Sequence, residues 1–540
     1  MFRKWYMGRG TDLPKAQTGQ RRSVRPQVEV LEDRLALSTV TPSDNPKSPT
    51  PPITLPIVFL HDQSATPPAG AITPAQMRHA YGIDQVTFGG VSGDGTGQTI
   101  AIIDAGDNPA FVSSTDPNFD NSDLHKFDEQ FGLPDPPSFM KLNQQGQEGN
   151  YPPPNVAGFA GEEALDVEWA HAIAPGANII LVETNTDDDL VGPVVQLVAN
   201  LPGVSEVSMS FSGAESSSET SFDSLYTTPA GHQGVTFLGS TGDDGAPGGY
   251  PAFSPNVVAV GGTTLNIDSA GDYQSESGWS GSGGGISQFE PQPPYQVGTV
   301  TQSSTMRTIP DVAFDADPNT GVAVYDSFDN GTATPWIQVG GTSLSCPCWA
   351  GIIAIANQDR ARVGLSSLDG ATQTLPRIYQ LPETDFHDIV TGNNGFAAGP
   401  GYDLVTGRGT PVAQLLIPDL AGIANLTTQI NNYHPFRYIV DASLPSDGSV
   451  VQGNLTVINR SNEHSSAQFV IVLGALPDGV SLAPSTPTTT LSNGQEAVPL
   501  PFAGLPINQP IRVSIQLLNP KHVPISTFFV GFEFTLEPAF

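Results

Sequence analysis

The chain has 540 residues, room for roughly three or four domains or for one large domain with smaller ones. Charged residues are only 14%, and Gly 57 with Pro 50 make about a fifth of the chain, below the ~25–30% typical of disordered sequences. Residues 1–34 hold eight of the 21 Lys and Arg but four of the 54 acids, so the remainder sets 13 basic against 50 acidic residues. Such a body repels nucleic acid and anionic membrane, which excludes non-specific binding to either.

The N-terminal basic stretch has no apolar run of ~7–15 residues behind it, as an ordinary signal peptide requires. The segment Arg21-Arg22-Ser23-Val24-Arg25-Pro26 through Val30-Leu31-Glu32-Asp33-Arg34-Leu35 resembles a leader found on many large exported bacterial proteins. That resemblance implies an exported protein, extracellular or at the cell surface, with 1–38 as its leader; a basic unstructured tail is the plain alternative. No stretch reaches the ~18 apolar residues that cross a bilayer. Residues 39–71 are rich in Pro, Ser and Thr and read as an extended linker.

From Ile72 the texture changes. The run Thr99-Ile100-Ala101-Ile102-Ile103-Asp104 has the form of a buried parallel strand. A helical pattern over 162–173 stops at Ala174-Pro175-Gly176, and short apolar strands follow at 178–182, 235–238 and 257–260. Strands alternating with helices predict an α/β domain with a mostly parallel sheet. Beyond about residue 425 the helical signal fades; strand patterns at 450–457, 467–473, 511–517 and 527–535 predict an all-β sandwich, Ig-like, over 434–540.

The segment Gly340-Gly341-Thr342-Ser343-Leu344-Ser345-Cys346-Pro347-Cys348-Trp349-Ala350-Gly351 sets small residues before a serine and an apolar helix after it, with Pro347 expected in the first turn. There a serine Oγ lies at a helix N-terminus, where backbone N–H groups steady a developing oxyanion; an ordinary N-cap serine fits the same pattern. Cys346 and Cys348 are the two cysteines of the chain. They are too close for an unstrained disulfide, provide no zinc set, and read as buried thiols. In Gly161-Glu162-Glu163-Ala164-Leu165-Asp166, Glu162 and Asp166 are four apart and share a helix face. Two such carboxylates repel and hold a proton between them; a solvated acidic face is the plain alternative.

Together these segments resemble the sedolisins, serine-carboxyl peptidases with a subtilisin-like fold that use Glu in place of His. The likeness runs from about Thr73 to Pro411 and takes in Ser240-Thr241-Gly242-Asp243-Asp244-Gly245, Gly283-Gly284-Gly285-Ile286-Ser287 and Pro310-Asp311-Val312. It implies a subtilisin-like, doubly wound peptidase domain over 72–425 and a serine-type endopeptidase acting on proteins or peptides in acid. By resemblance Ser343 is the nucleophile, Glu162 its base, Asp166 the partner of Glu162, and Asp243 the oxyanion acid, which must be protonated to donate. Asp104 falls where an auxiliary acid stands in some members; a strand-end aspartate is the alternative.

Substrate is expected along the edge at Ser210, Phe211 and Ser212, where Phe211 and Ser212 depart from the family's usual Trp-Gly. One Ca²⁺ site is implied at Asp388, Ile389, Gly399, Gly401 and Asp403, two carboxylates with backbone carbonyls forming an all-oxygen cage; a Gly-rich turn with incidental aspartates is the alternative. Sedolisins carry a long folded propeptide, whereas about 72 residues of little core-forming pattern precede the catalytic-type segment here. The C-terminal domain is a candidate binder of a surface, polysaccharide or protein. The competing class is a non-catalytic surface or binding protein that keeps the peptidase fold as scaffold. A glycosidase carboxylate pair leaves the Gly-Thr-Ser helix start without a role.

Overall fold

A computed structural model describes residues 53–54, 58–88, 91–362 and 364–422, and beyond them strand segments between 424 and 534. The leader expected over 1–38 lies outside the described residues. The central sheet has eight strands: β1 (Thr99–Ala105), β2 (Phe139–Asn143), β3 (Asn178–Thr184), β4 (Val204–Met209), β5 (Thr236–Ser240), β6 (Val257–Ile267), β7 (Tyr273–Gly278) and β8 (Val312–Asp315). Their spatial order is β7-β6-β5-β4-β1-β3-β2, with β8 also paired to β6. The pair β6–β7 is antiparallel, whereas β1 runs parallel to both β3 and β4, as do β2 to β3 and β5 to β4 and β6. Strand order therefore reverses around β1. In open α/β sheets ligand sites lie beyond the carboxyl ends of the strands at such a point.

The two faces of β1 show why an unbroken apolar run makes this strand. Ile100 and Ile102 join one apolar cluster with Trp169, Trp349 and Ile353, while Ala101 and Ile103 join another with Val195, Val198 and Phe237. Alternate side chains enter opposite layers, so both sets must be apolar. Helices α1 (Asp123–Phe131), α2 (Ala160–Ile173) and α3 (Thr342–Arg362) belong to the first layer. Every residue of α2 is buried, as a helix enclosed on all sides requires. A Cβ on Gly351 of α3 would meet Ile173 Cγ2 of α2 at 2.6 Å. This glycine permits the close approach that brings the two helix N-termini to one site.

Pro347 is not in the first turn of its helix. Because α3 starts at Thr342, Pro347 is its sixth residue and sits inside it. Its missing N–H is the one that would have bonded the Ser343 carbonyl four residues back. That carbonyl instead lies 3.4 Å from Ser210 Oγ. Cys346 and Cys348 are buried and free.

Two segments upstream of Ile72 are strands rather than loose chain. Val58–Ser64 pairs antiparallel with Trp336–Gly340, and Ile53–Thr54 pairs antiparallel with Ser212–Gly213. At the C-terminus, Tyr438–Leu444, Val450–Asn459 and Pro510–Leu518 form one antiparallel set. Phe469–Leu473, Glu496–Pro499 and Val530–Phe534 form another. The face-to-face packing expected of a sandwich over 434–540 lies outside the described residues.

Candidate active site

Four elements converge where β1 ends. Asp104 is the sixth residue of β1 and fully buried. Glu162 and Asp166 occupy the first two turns of α2, one turn apart, and both are fully buried. Ser343 is the second residue of α3, and the loop after β5 brings Asp243. Gly341, with φ +115°, turns the chain out of its strand just before α3 begins, a backbone state that a side chain disfavours.

Asp243 is held by the helix start. The Thr342 N–H and the Thr342 hydroxyl both donate to Asp243 Oδ1, each at 2.8 Å, and Thr342 Oγ1 accepts from the Gly242 N–H at 3.1 Å. Oδ2 is buried with no hydrogen-bond partner. Burial pushes the carboxyl up to about 8 against the opposing effect of the Thr342 donors. With Oδ1 engaged as acceptor, the acid proton belongs on Oδ2.

Glu162 is pushed far above the carboxylate range, first by burial and then by Asp166, Asp104 and Asp243, with the Ser343 hydroxyl opposing. Asp166 is raised by burial and by Asp104, with the Ser210 hydroxyl opposing. Burial alone lifts Asp104 to about 8. Ser343 Oγ and both Glu162 oxygens close no hydrogen bond of full geometry, although the hydroxyl is near enough to stabilise the Glu162 carboxylate. A loose contact between nucleophile and base is common before substrate binds.

Ser210 Oγ lies 2.8 Å from Asp166 Oδ1 and 3.4 Å from the Ser343 carbonyl. One hydroxyl hydrogen cannot serve both acceptors. A proton on Asp166 satisfies all three groups, with Asp166 donating to Ser210 and Ser210 to the Ser343 carbonyl. Ser210 is thus tied to the carboxyl pair. The Phe211 ring is fully buried in the second apolar cluster. Ser212 and Gly213 line a cleft of about 350 Å³ with Thr241, Asp243 and Gln288, and their edge is paired with the chain's own Ile53–Thr54.

The implied calcium residues gather at one turn. The Gly401 N–H donates to Asp388 Oδ1 and Oδ2 at 3.0 and 3.2 Å, and the Gly399 N–H to Asp403 Oδ2 at 2.9 Å. Asp403 Oδ1 accepts from the Val405 and Thr406 N–H groups at 2.8 and 2.9 Å, and Ile389 is buried beside Asp388. All four carboxylate oxygens accept backbone N–H groups at this turn, and among the described residues no group of three or more His, Cys, Asp and Glu is placed to hold a metal ion.

Sequence reading missed Thr342 as the group that orients Asp243, although the residue stands beside Ser343 in the quoted motif. It also assigned no part to Glu163 and Glu183, buried near Asp104, or to Lys141, which pairs with Glu183.

The model of the subtilase family matches residues 95–372, just over half of the chain. Kumamolisin of Bacillus sp. (strain MN-32) is 33% identical over 395 residues, 66% of this chain and 65% of its own. Sedolisin of Pseudomonas sp. (strain 101) is 33% identical over 246 residues, 39% of each chain. The solved structure of the Pseudomonas sedolisin, complexed with two molecules of pseudo-iodotyrostatin, aligns with a TM-score of 0.52 at 25% identity and covers 66% of this chain and 98% of that one. The chain thus spans less than two thirds of the length of these curated relatives. With its parallel sheet, its helix-borne carboxyl pair and its serine at the start of α3, this chain belongs to the subtilases, in the sedolisin family.

Proposed function

We propose that the protein is a serine-carboxyl endopeptidase that cleaves proteins and peptides in acid. The observation that supports this most is the meeting of Ser343 Oγ, Glu162 and Asp243 Oδ2, three buried polar groups none of which closes a hydrogen bond of full geometry. Buried polar atoms are ordinarily bonded, and a substrate carbonyl at the cleft beside Asp243 gives each of them a task.

Ser343 Oγ attacks the scissile carbonyl carbon while its proton passes to Glu162. The C=O π electrons move onto oxygen, which accepts a hydrogen bond from Asp243 Oδ2–H. Glu162 returns the proton to the departing amine as the C–N bond breaks and the acyl-enzyme forms. Water then repeats the sequence, with Glu162 taking its proton. Asp166 orients Glu162 and shares its proton, and Asp104 adds a third buried carboxyl that keeps the pair partly protonated. The substrate backbone lies along Ser212–Gly213 once Ile53–Thr54 has left that edge.

The leader-like segment 21–38 supports export, and no helix among the described residues is long and apolar enough to cross a membrane. The C-terminal strands are assigned to a separate all-β domain that meets a surface, polysaccharide or protein. Asp388 and Asp403 with the carbonyls of Ile389, Gly399 and Gly401 would hold one Ca²⁺, which would tie the 388–403 segment together. Chelation is expected to lower Tm by several degrees, and Asp388→Asn with Asp403→Asn to remove that calcium dependence. A Tm indifferent to chelator counts against the site.

The functional reading is tested by incubating denatured protein with the full chain near pH 4 and mapping the fragments by mass. Internal cuts made by the wild type and absent with Ser343→Ala are expected. Intact substrate at every pH from a folded sample would shift the reading to a non-catalytic scaffold.

A further inference from the structure

A second set of buried charges adjoins the catalytic carboxyls. Asp104 of β1 stands opposite Glu183 of β3 in the parallel register. Glu183 Oε1 is 3.2 Å from Lys141 Nζ of β2. Lys141 also contacts Asp107 and donates to the Asn108 carbonyl at 2.9 Å. The Asn108 N–H lies 3.2 Å from Glu163 Oε2 and 3.3 Å from Glu183 Oε1, so one donor serves two carboxyls. Glu163 Oε1, Glu183 Oε2 and both Asp104 oxygens are buried without partners. Lys141 is 2% exposed, with the Tyr151 ring 4.5 Å from Nζ. Asp107, Lys141, Glu148 and Tyr151 line a cleft of about 530 Å³ at the outer end.

The groups facing this interior are Glu162, Glu163 and Asp166 from α2, Asp104 and Asp107 from β1 and its loop, Glu183 from β3, Lys141 from β2, and Asp243 from the loop after β5. Among these, Lys141 is the single cation. We propose, building on the peptidase reading, that Lys141 with Glu163 and Glu183 is a positioning set for the catalytic carboxyls: the buried cation fixes how many protons the line from Asp107 to Glu162 holds, and so the pH range in which the site works.

The electrostatics agree. Burial would lower the Lys141 pKa, but Glu183, Asp107 and Glu163 outweigh it and keep the side chain charged. Burial raises both Glu163 and Glu183, and Lys141 opposes that rise in both; its direct contact with Glu183 Oε1 leaves the charge on Glu183 and the proton on Glu163. Asp104 couples the two groups of acids, for it raises Glu162, Glu163 and Asp166 alike.

The test is the pH profile of kcat/KM on a quenched peptide, with variants that leave Ser343, Glu162, Asp166 and Asp243 in place. Lys141→Met removes a positive charge, so the carboxyls keep their protons to higher pH and the basic limb moves up. Glu183→Gln removes a negative charge, so the limb moves down. Each shift is about half a pH unit for one charge in a buried setting. The double variant Lys141→Met/Glu183→Gln, which replaces a buried ion pair by neutral groups and is tolerated more readily than either half, returns the limb to its wild-type place. Opposite shifts with restoration support the proposal; unmoved limbs, or shifts of the same sign, overturn it. Infrared titration of protonated carboxyls in the full-length Ser343→Ala chain reads the same displacements without activity. If cleavage is absent while the carboxyl titrations still move in opposite directions, the peptidase reading fails and the charge coupling stands; if cleavage is present and neither readout moves, the coupling fails alone.

Discussion

At the scale of single residues, what distinguishes this site is that its acids are buried where water cannot carry their charge. Asp243 illustrates the consequence. Its Oδ1 is spent on Thr342, so the group donates through Oδ2 only while protonated, and burial extends that state up to about pH 8. Asp243→Ala is expected to lower kcat by about 10²–10³ with KM changed by less than a few-fold, because the bond forms to the oxyanion and not to the ground state. Asp243→Asn keeps a donor that does not titrate and retains part of the rate. Steady-state kinetics on the same peptide distinguishes the two. Ser343, Glu162, Asp166 and Asp243 stood out in the sequence because each sits in a short local motif that carries the family resemblance. Lys141 and Glu183 did not, because only the β1–β3–β2 register sets Glu183 opposite Asp104 and Lys141 diagonally across from Glu183, and register is a property of paired strands rather than of any one segment.

At the scale of elements, the helices and strands of the catalytic layer follow from local pattern. The helix expected over 162–173 is α2, Ala160–Ile173, and the run at 99–104 is β1. Element ends were less accurate. Pro347 suggested a helix start close before it, whereas α3 begins five residues earlier and absorbs the missing N–H through the neighbouring Ser210. Pro marks a first turn often but not always, because a nearby hydroxyl can occupy the freed carbonyl. The strands upstream of Ile72 escaped notice for the opposite reason. Val58–Ser64 has a partner, Trp336–Gly340, more than 270 residues away, and a Pro-rich neighbourhood conceals a strand whose ladder is that remote. Their course bears on the proposed function, since Ile53–Thr54 occupies the Ser212–Gly213 edge along which we propose that substrate lies.

At the scale of the whole molecule, charge and burial act in the same direction. The chain carries a net charge of −33 at pH 7, and self-repulsion in the compact state weakens as acids protonate. Burial places Asp104, Glu206 and Asp243 at about 8 in the folded state, against ~4 in an unfolded chain. Between those values the folded protein binds more protons than the unfolded one, so stability is fully present below about pH 4 and is lost as pH rises towards 8. His387, lowered to about 4 by burial, works the other way, but it is one group against several. Tm measured from pH 4 to pH 8 is therefore expected to fall steadily; a Tm that rises over that range would show that these acids are ionised in the folded chain.

The central claim is that a serine activated by a buried carboxyl pair performs the chemistry, and the pH profile of kcat/KM for the wild type beside Glu162→Gln tests it most directly. The account predicts cleavage that is favoured in acid, declines as pH rises through neutrality, and drops by orders of magnitude at every pH when Glu162 can no longer take a proton. A basic optimum, or a Glu162→Gln enzyme as active as the wild type, would contradict it.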